Sequence, residues 1–306
     1  MEDLPVTIEA LRTPDERFKD LPGWKYTPRY IDDLPGYEGL RMAVHDEGPK
    51  ENGAPVFLCL HGEPSWSYLY RKMAPVFLAA GARVVMPDLF GFGRSDKPVE
   101  DTVYTFHWHR NYLKALFERL DLSDVCLVCQ DWGGMLGLTL PMDYPDRFTR
   151  LIVMNTGIGI GKSPGPGFEA WREYARTHPD MDVGALLKRA TPGMSDDEAR
   201  AYAAPFPDQR YKAGVRRFPA IVPTDPDMEG VETGKQALKF WSQEWSGESF
   251  MAIGKQDPVL GPGVMESLRS VIRGCPEPMI IEDGGHFVQE WGEPIARAAL
   301  KRFGMG

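Results

Sequence analysis

The chain has 306 residues, 42% hydrophobic and 26% charged, the composition of a globular protein long enough to bury a large core without staples. Lys plus Arg (35) against Asp plus Glu (44) leaves a net charge of −9 with no basic block, which argues against nucleic acid or an anionic membrane surface as partner. No apolar run is long enough to span a membrane, and the opening MEDLPVTIEA lacks the basic and apolar stretches of a signal peptide, so a cytoplasmic chain with reduced thiols is expected.

In chain order, RYI and GLRMAVHD read as early strands that begin antiparallel. VFLCL (Val56–Leu60), RVVMPD (Arg83–Asp88), VCLVCQ (Val125–Gln130), RLIVMN (Arg150–Asn155), SFMAIG (Ser249–Gly254) and PMIIED (Pro278–Asp283) are near-continuous apolar runs, as in strands covered on both faces of a parallel sheet. Helix-like segments such as WHRNYLKALFERLDL (Trp108–Leu122) separate them, so the fold class is α/β, a mostly parallel sheet flanked by helices. The rhythm breaks after Asn155. FEAWREYART, DVGALLKRA and SDDEARAYAA are helical in pattern, and strand-like runs resume only at Ser249. A helical cap over 157–225 is therefore expected, inserted in a main domain of 1–156 and 226–306.

Three features point away from other chemistries. Cys126 and Cys129 form a CxxC, but positions i and i+3 of a strand face opposite sides, so core thiols are expected there. TGIGIGKSPG resembles a phosphate loop, but Thr156 stands where the pattern needs Gly, and flexible passage into the cap fits better. His107-Trp108-His109 lacks a third ligand at matching spacing, so surface or helix-start histidines are expected, with no metal.

The chemistry-bearing residues end strand-like runs. In VCLVCQDWGGMLGL a strand runs into Asp131, then Trp132-Gly133-Gly134 and an amphipathic segment, the strand–turn–helix context of a nucleophile elbow. By itself Asp131 could be a helix N-cap, and Cys129 stands where the elbow pattern has Gly. In LCLHGEPSWSYLYRKM a strand ends at His61-Gly62-Glu63-Pro64, where half of an oxyanion hole is built, so the backbone N–H groups of Glu63 and Trp132 are the expected donors and His61 a structural loop residue. Asp257 follows another strand and His286 a third, giving the order nucleophile, acid, His of the α/β-hydrolase fold. Asp283 is a rival partner for His286 but stands too near it in sequence, and Asp88 reads as a loop tie.

HGEPSWSYLYRKM, PDLFGFGRSDKP, QDWGGMLGLTLP, AYAAPFPD, GCPEP and GGHFVQE together resemble a haloalkane dehalogenase over about Leu11 to Phe303, in the subfamily with two tryptophan halide ligands and the acid after the later strand. The resemblance implies Asp131 as nucleophile, His286 as base, Asp257 as its orienting acid, and Trp132 with the cap residue Trp171 of GFEAW as halide ligands. It also implies Phe168, Phe218, Pro219, Val222, Val259 and Leu260 as pocket residues, while between Thr156 and Phe168 the approach to the cap is shorter than in the family's best-known member. The implied reaction turns a small hydrophobic haloalkane into a primary alcohol and a halide ion through an alkyl ester on Asp131, in a monomer with no cofactor or metal. The rival is an epoxide hydrolase with the same triad, for which Tyr174, Tyr202 and Tyr211 would be the cap hydroxyls. A non-catalytic receptor on this fold is disfavoured by the intact Asp/Asp/His set, and a serine esterase by an elbow without a hydroxyl.

Overall fold

The structure, a computed structural model, describes residues 8–50 and 53–306. Most of the opening segment judged above for a signal peptide lies outside the described residues. The strands are β1 (Ala10–Leu11), β2 (Arg29–Ile31), β3 (Met42–Glu47), β4 (Val56–Leu60), β5 (Arg83–Pro87), β6 (Lys97–Pro98), β7 (Val125–Cys129), β8 (Phe148–Met154), β9 (Glu248–Gly254) and β10 (Met279–Ile281). β1 and β6 form a small antiparallel pair, and the other eight make one sheet in the order β10-β9-β8-β7-β4-β5-β3-β2. From β10 to β5 the neighbours are parallel, while β3 runs antiparallel to both β5 and β2. β4 and β7 are buried at every residue, which is why their sequences show no polar alternation.

The helices are α1 (Ala74–Ala79), α2 (Phe106–Arg119), α3 (Asp131–Gly137), α4 (Pro166–Thr177), α5 (Val183–Ala190), α6 (Asp196–Ala203), α7 (Ala213–Arg217), α8 (Val231–Gln243), α9 (Pro262–Val271) and α10 (Gly292–Arg302). No helix among the described residues is long and apolar enough to cross a membrane. The Thr105 side chain caps α2 by accepting from the Trp108 N–H, and Phe106, His109, Tyr112, Leu113, Leu116 and Phe117 form its buried stripe. His109 is thus not a surface histidine. It is fully buried with Nδ1 2.8 Å from the Tyr112 hydroxyl, because helical spacing places it on the apolar face, while His107 stays exposed. Cys126 and Cys129 are buried free thiols.

Register decides where chemistry can gather. Leu60 pairs with Cys129, Cys129 with Val153, and Val153 with Met251, so the carboxyl ends of β4, β7, β8 and β9 lie side by side. The chain after β4 first builds to one side (β5) and then returns to the other (β7). Their boundary is the switch point where an open α/β sheet leaves a crevice. Helices α4 to α7 lie in the chain between β8 and β9, and with them come the residues that roof this crevice.

Candidate active site

Asp131 leaves β7 with φ of 50°, a left-handed backbone that costs a non-glycine residue roughly 1–3 kcal/mol and holds its side chain clear of the sheet. Two glycines make room for the turn. A methyl on Gly62 would overlap the Asp131 carboxylate, and one on Gly133 would overlap the Leu60 carbonyl. The Asp131 N–H donates to the Asn155 carbonyl (3.0 Å), and the Thr156 hydroxyl donates to the Asp131 carbonyl (2.7 Å). The elbow is thus tied from β8.

One Asp131 oxygen, Oδ1, accepts the Glu63 backbone N–H at 2.8 Å. The other, Oδ2, lies 3.5 Å from His286 Nε2, whose ring turns its Nδ1 to Asp257 Oδ2 at 2.8 Å. Asp283, the rival partner, lines the cavity instead. Asp257 is buried yet well supported. Its Oδ1 accepts the N–H groups of Val259 (2.8 Å) and Leu260 (3.1 Å), and its Oδ2 accepts from the Asn155 amide (2.9 Å). Burial opposes its charge, but the His286 partner and these backbone donors outweigh it and hold the carboxyl below its ordinary value. Burial likewise pulls the imidazole down, and Asp257 and Asp131 together outweigh it, raising His286 well above its ordinary value.

The sequence reading missed Asn155. Besides Asp257 it bonds Gly254 in both directions, donating to the carbonyl (3.1 Å) and accepting from the N–H (2.7 Å). The available signal was a polar residue closing the apolar run RLIVMN. His61 is a loop residue as read, its Nε2 accepting the Leu89 N–H at 2.9 Å. Asp88 accepts from Ser67 N (2.9 Å) and Arg94 N (2.8 Å) and ties two loops.

A cavity of about 480 Å³ opens over Asp131 and His286, within the range for small-molecule sites. Of the expected residues, Trp132, Trp171, Phe168, Pro219, Val222, Val259 and Leu260 line it together with Glu63. Phe218 does not. It is fully buried against Trp132, with ring centroids 4.7 Å apart, and against His109 at 4.5 Å, so it sets the indole rather than the wall. The indole N–H groups of Trp66, Trp241 and Trp245 are spent on protein acceptors, whereas that of Trp132 has none among the described residues. Tyr174, Tyr202 and Tyr211 are all absent from the cavity wall. Tyr202 gives its hydroxyl to Glu290 at 2.5 Å, and Tyr174 stacks on Trp171 and His178. No cluster of three or more metal-capable side chains occurs among the described residues.

This arrangement offers a fixed carboxylate, a paired imidazole above it, a backbone donor, and indoles facing an apolar cavity. Known proteins resemble the chain over most of its length. The family described as alpha/beta hydrolase fold matches residues 55–293. A haloalkane dehalogenase of Psychrobacter cryohalolentis is 42% identical over 303 residues, 96% of this chain and 98% of that protein. Haloalkane dehalogenase 1 of Mycobacterium bovis is 42% identical over 291 residues, 92% of this chain and 94% of that protein. The structure of the haloalkane dehalogenase DpaA from Paraglaciecola agarilytica NO2, described as tetrameric, superposes with a TM-score of 0.94 at 57% identity, covering 96% of this chain and 98% of that one. The strand order, the elbow and these relatives agree: the chain belongs to the alpha/beta hydrolase fold family and, within it, to the haloalkane dehalogenases.

Proposed function

We propose that the chain hydrolyses small apolar haloalkanes to a primary alcohol and halide, with Asp131 as nucleophile. The observation that carries this reading is a carboxylate on the elbow, facing a cavity walled by two indoles and by none of the three cap tyrosines. A carboxylate is already an anion at neutral pH and attacks an sp3 carbon without a base. The carbon–halogen bond breaks as the Asp131 oxygen–carbon bond forms, and the halide leaves with the bonding pair. Trp132 and Trp171 are assigned as its ligands, since an indole N–H is a donor with no lone pair to repel an anion.

Esterification removes the charge of Asp131. His286 then keeps only Asp257 as an anionic partner, its basicity falls, and its neutral form takes a proton from water attacking the ester carbonyl. The N–H groups of Glu63 and Trp132 receive the oxyanion. Phe168, Pro219, Val222, Val259 and Leu260 are assigned to substrate contact, and Phe218 to support of Trp132. The same reading places the chain in the two-tryptophan subfamily, with 157–225 as the cap over 1–156 and 226–306, and gives it a cytoplasmic location. A monomer is proposed beside a tetrameric relative at 57% identity, and light scattering separates the two. The test of activity is halide release against epoxide opening on matched substrates. Halide release is the expected outcome, and epoxide turnover without it overturns the reading.

A further inference from the structure

Glu63 is used in the account above only for its backbone N–H. Its side chain lines the cavity beside Asp131, Trp132 and Trp171. The residue is 4% exposed, and its Oε1 has no hydrogen-bond partner. A carboxylate buried with a bare oxygen is costly, and a second carboxylate alongside raises the cost. One of the two therefore keeps a proton. Asp131 has the partners that suit an anion, the Glu63 N–H at 2.8 Å and His286 at 3.5 Å. The proton falls to Glu63.

Resting on the functional reading above, we propose that Glu63 works as a neutral carboxylic acid whose O–H is a third donor to the departing halide, beside the indoles of Trp132 and Trp171. The charged and titratable groups facing it fit this assignment. Asp131 is an anion, and His286 is engaged by Asp257 behind it. His61, two residues back, has its nitrogens on the Leu89 N–H and the Gly62 carbonyl. Arg189 and Asp283 are exposed side chains of opposite charge on the cavity wall. Burial, and next the charge of Asp131, push the Glu63 carboxyl well above its ordinary value, against smaller pulls from His286 and the Trp171 indole. Ionised, Glu63 would repel a halide and draw the Trp171 N–H to itself. Neutral, it holds that indole less tightly and adds a donor where charge develops.

Halide binding is then coupled to the proton on Glu63. Above the pKa of that carboxyl, each bound halide takes up one proton, and affinity falls by up to about tenfold per pH unit. The experiment measures bromide and chloride affinity by tryptophan fluorescence from pH 6 to 10. Wild type should show the alkaline loss. Glu63→Gln keeps an N–H donor but nothing to titrate, and should hold neutral-pH affinity within about threefold with a flat profile. Glu63→Leu lacks a donor and should lose about tenfold or more at neutral pH, the scale of one hydrogen bond to a charged group. A Gln variant with the wild-type slope would hand the titration to His286, and an unweakened Leu variant would show that Glu63 donates nothing; either overturns the proposal. A second measurement needs no change at Glu63. In His286→Gln, bromide added to weakly buffered alkaline solution should raise the pH through proton uptake, and no uptake despite bromide binding also overturns it. If wild type binds no halide and releases none from any haloalkane, the functional reading falls too; failure of the Glu63 arms in a protein that releases halide leaves that reading standing.

Discussion

At the scale of single residues, mutation can separate the two half-reactions of the proposed mechanism. His286→Gln removes the proposed base but neither the carboxylate nor the indoles. It should release at most one halide per site and then stall, with intact mass raised by the alkyl group and peptide mapping placing it on Asp131. Continuous turnover would remove His286 from the role of base. Trp171→Phe keeps an aromatic ring, though a smaller one, and loses one donor to an anion. Bromide affinity should fall about tenfold or more, and halide release should slow with it. Parental affinity in that variant would leave Trp171 as packing. Asp131, Asp257 and His286 stood out in the sequence because each follows within a few residues of an apolar run, and a strand end in a parallel sheet is where side chains reach a crevice. Asn155 also closes one and was passed over, since its partners Asp257 and Gly254 come from a strand almost a hundred residues later. Phe218 was misplaced for a related reason. Sequence can mark an aromatic as near the site, but only packing shows that it lies against Trp132 rather than on the cavity wall.

At the scale of elements, two contacts hold the site in register. The first is the crossing of α3 over β4, where Gly133 touches the Leu60 carbonyl. Gly133→Ala has no room at a backbone atom, which cannot yield as a side chain would, and should give little folded protein. Gly263→Ala, with open space at its Cβ and an ordinary φ, is the control and should fold normally, as read by circular dichroism and yield. The second is a buried charge cluster joining α6 to the segment just past His286. Arg71 binds Glu290 through two 2.6 Å bonds and Glu198 through one of 2.7 Å, and Tyr202 closes the ring on Glu290. Glu198 also completes the capping box of α6 with Ser195, so one carboxylate serves both helix start and ion pair. Removing Arg71 leaves the buried Glu290 with only Lys72, 39% exposed, and the Tyr202 hydroxyl as partners. Arg71→Met should therefore cost about 3–5 kcal/mol of stability in urea unfolding, while Glu198→Gln, at the partly exposed edge, should cost much less. Equal losses in the two variants would count against a cooperative buried cluster. The strands and the capped helices were legible because period and caps are local. This cluster was not, since its members come from three distant stretches and none is unusual in its own neighbourhood.

At the scale of the whole molecule, stability toward acid follows from histidines that the catalytic site does not use. His45 is buried with neither ring nitrogen hydrogen-bonded, and burial lowers its pKa to about 4 although Asp88 pulls the other way. His109 is buried on α2, and burial lowers it to about 3. A depressed histidine contributes stability above its unfolded value near 6.5, and that contribution is lost as pH falls through the folded value. The window is therefore about pH 6.5 down to 4 for His45 and on to 3 for His109. Burial holds His61 low as well, so it acts in the same direction, while the remaining groups act elsewhere or oppositely. Asp257 and Glu290, held low, lose their contribution only below the ordinary carboxylate range near 4. His286, held high, is at full contribution throughout the window and loses it only on the alkaline side. Glu63, held high, gains stability as pH falls and offsets one histidine in part of the window. A bare pH profile of wild type mixes these effects, whereas a difference between two proteins isolates one proton. In His109→Gln the titrating group is gone and the rest is shared. The unfolding free energy of wild type should therefore fall, relative to the variant, by about 1.4 kcal/mol per pH unit between pH 6 and 4. Urea titrations at three pH values give that slope, and parallel curves would mean that His109 is not held neutral in the core.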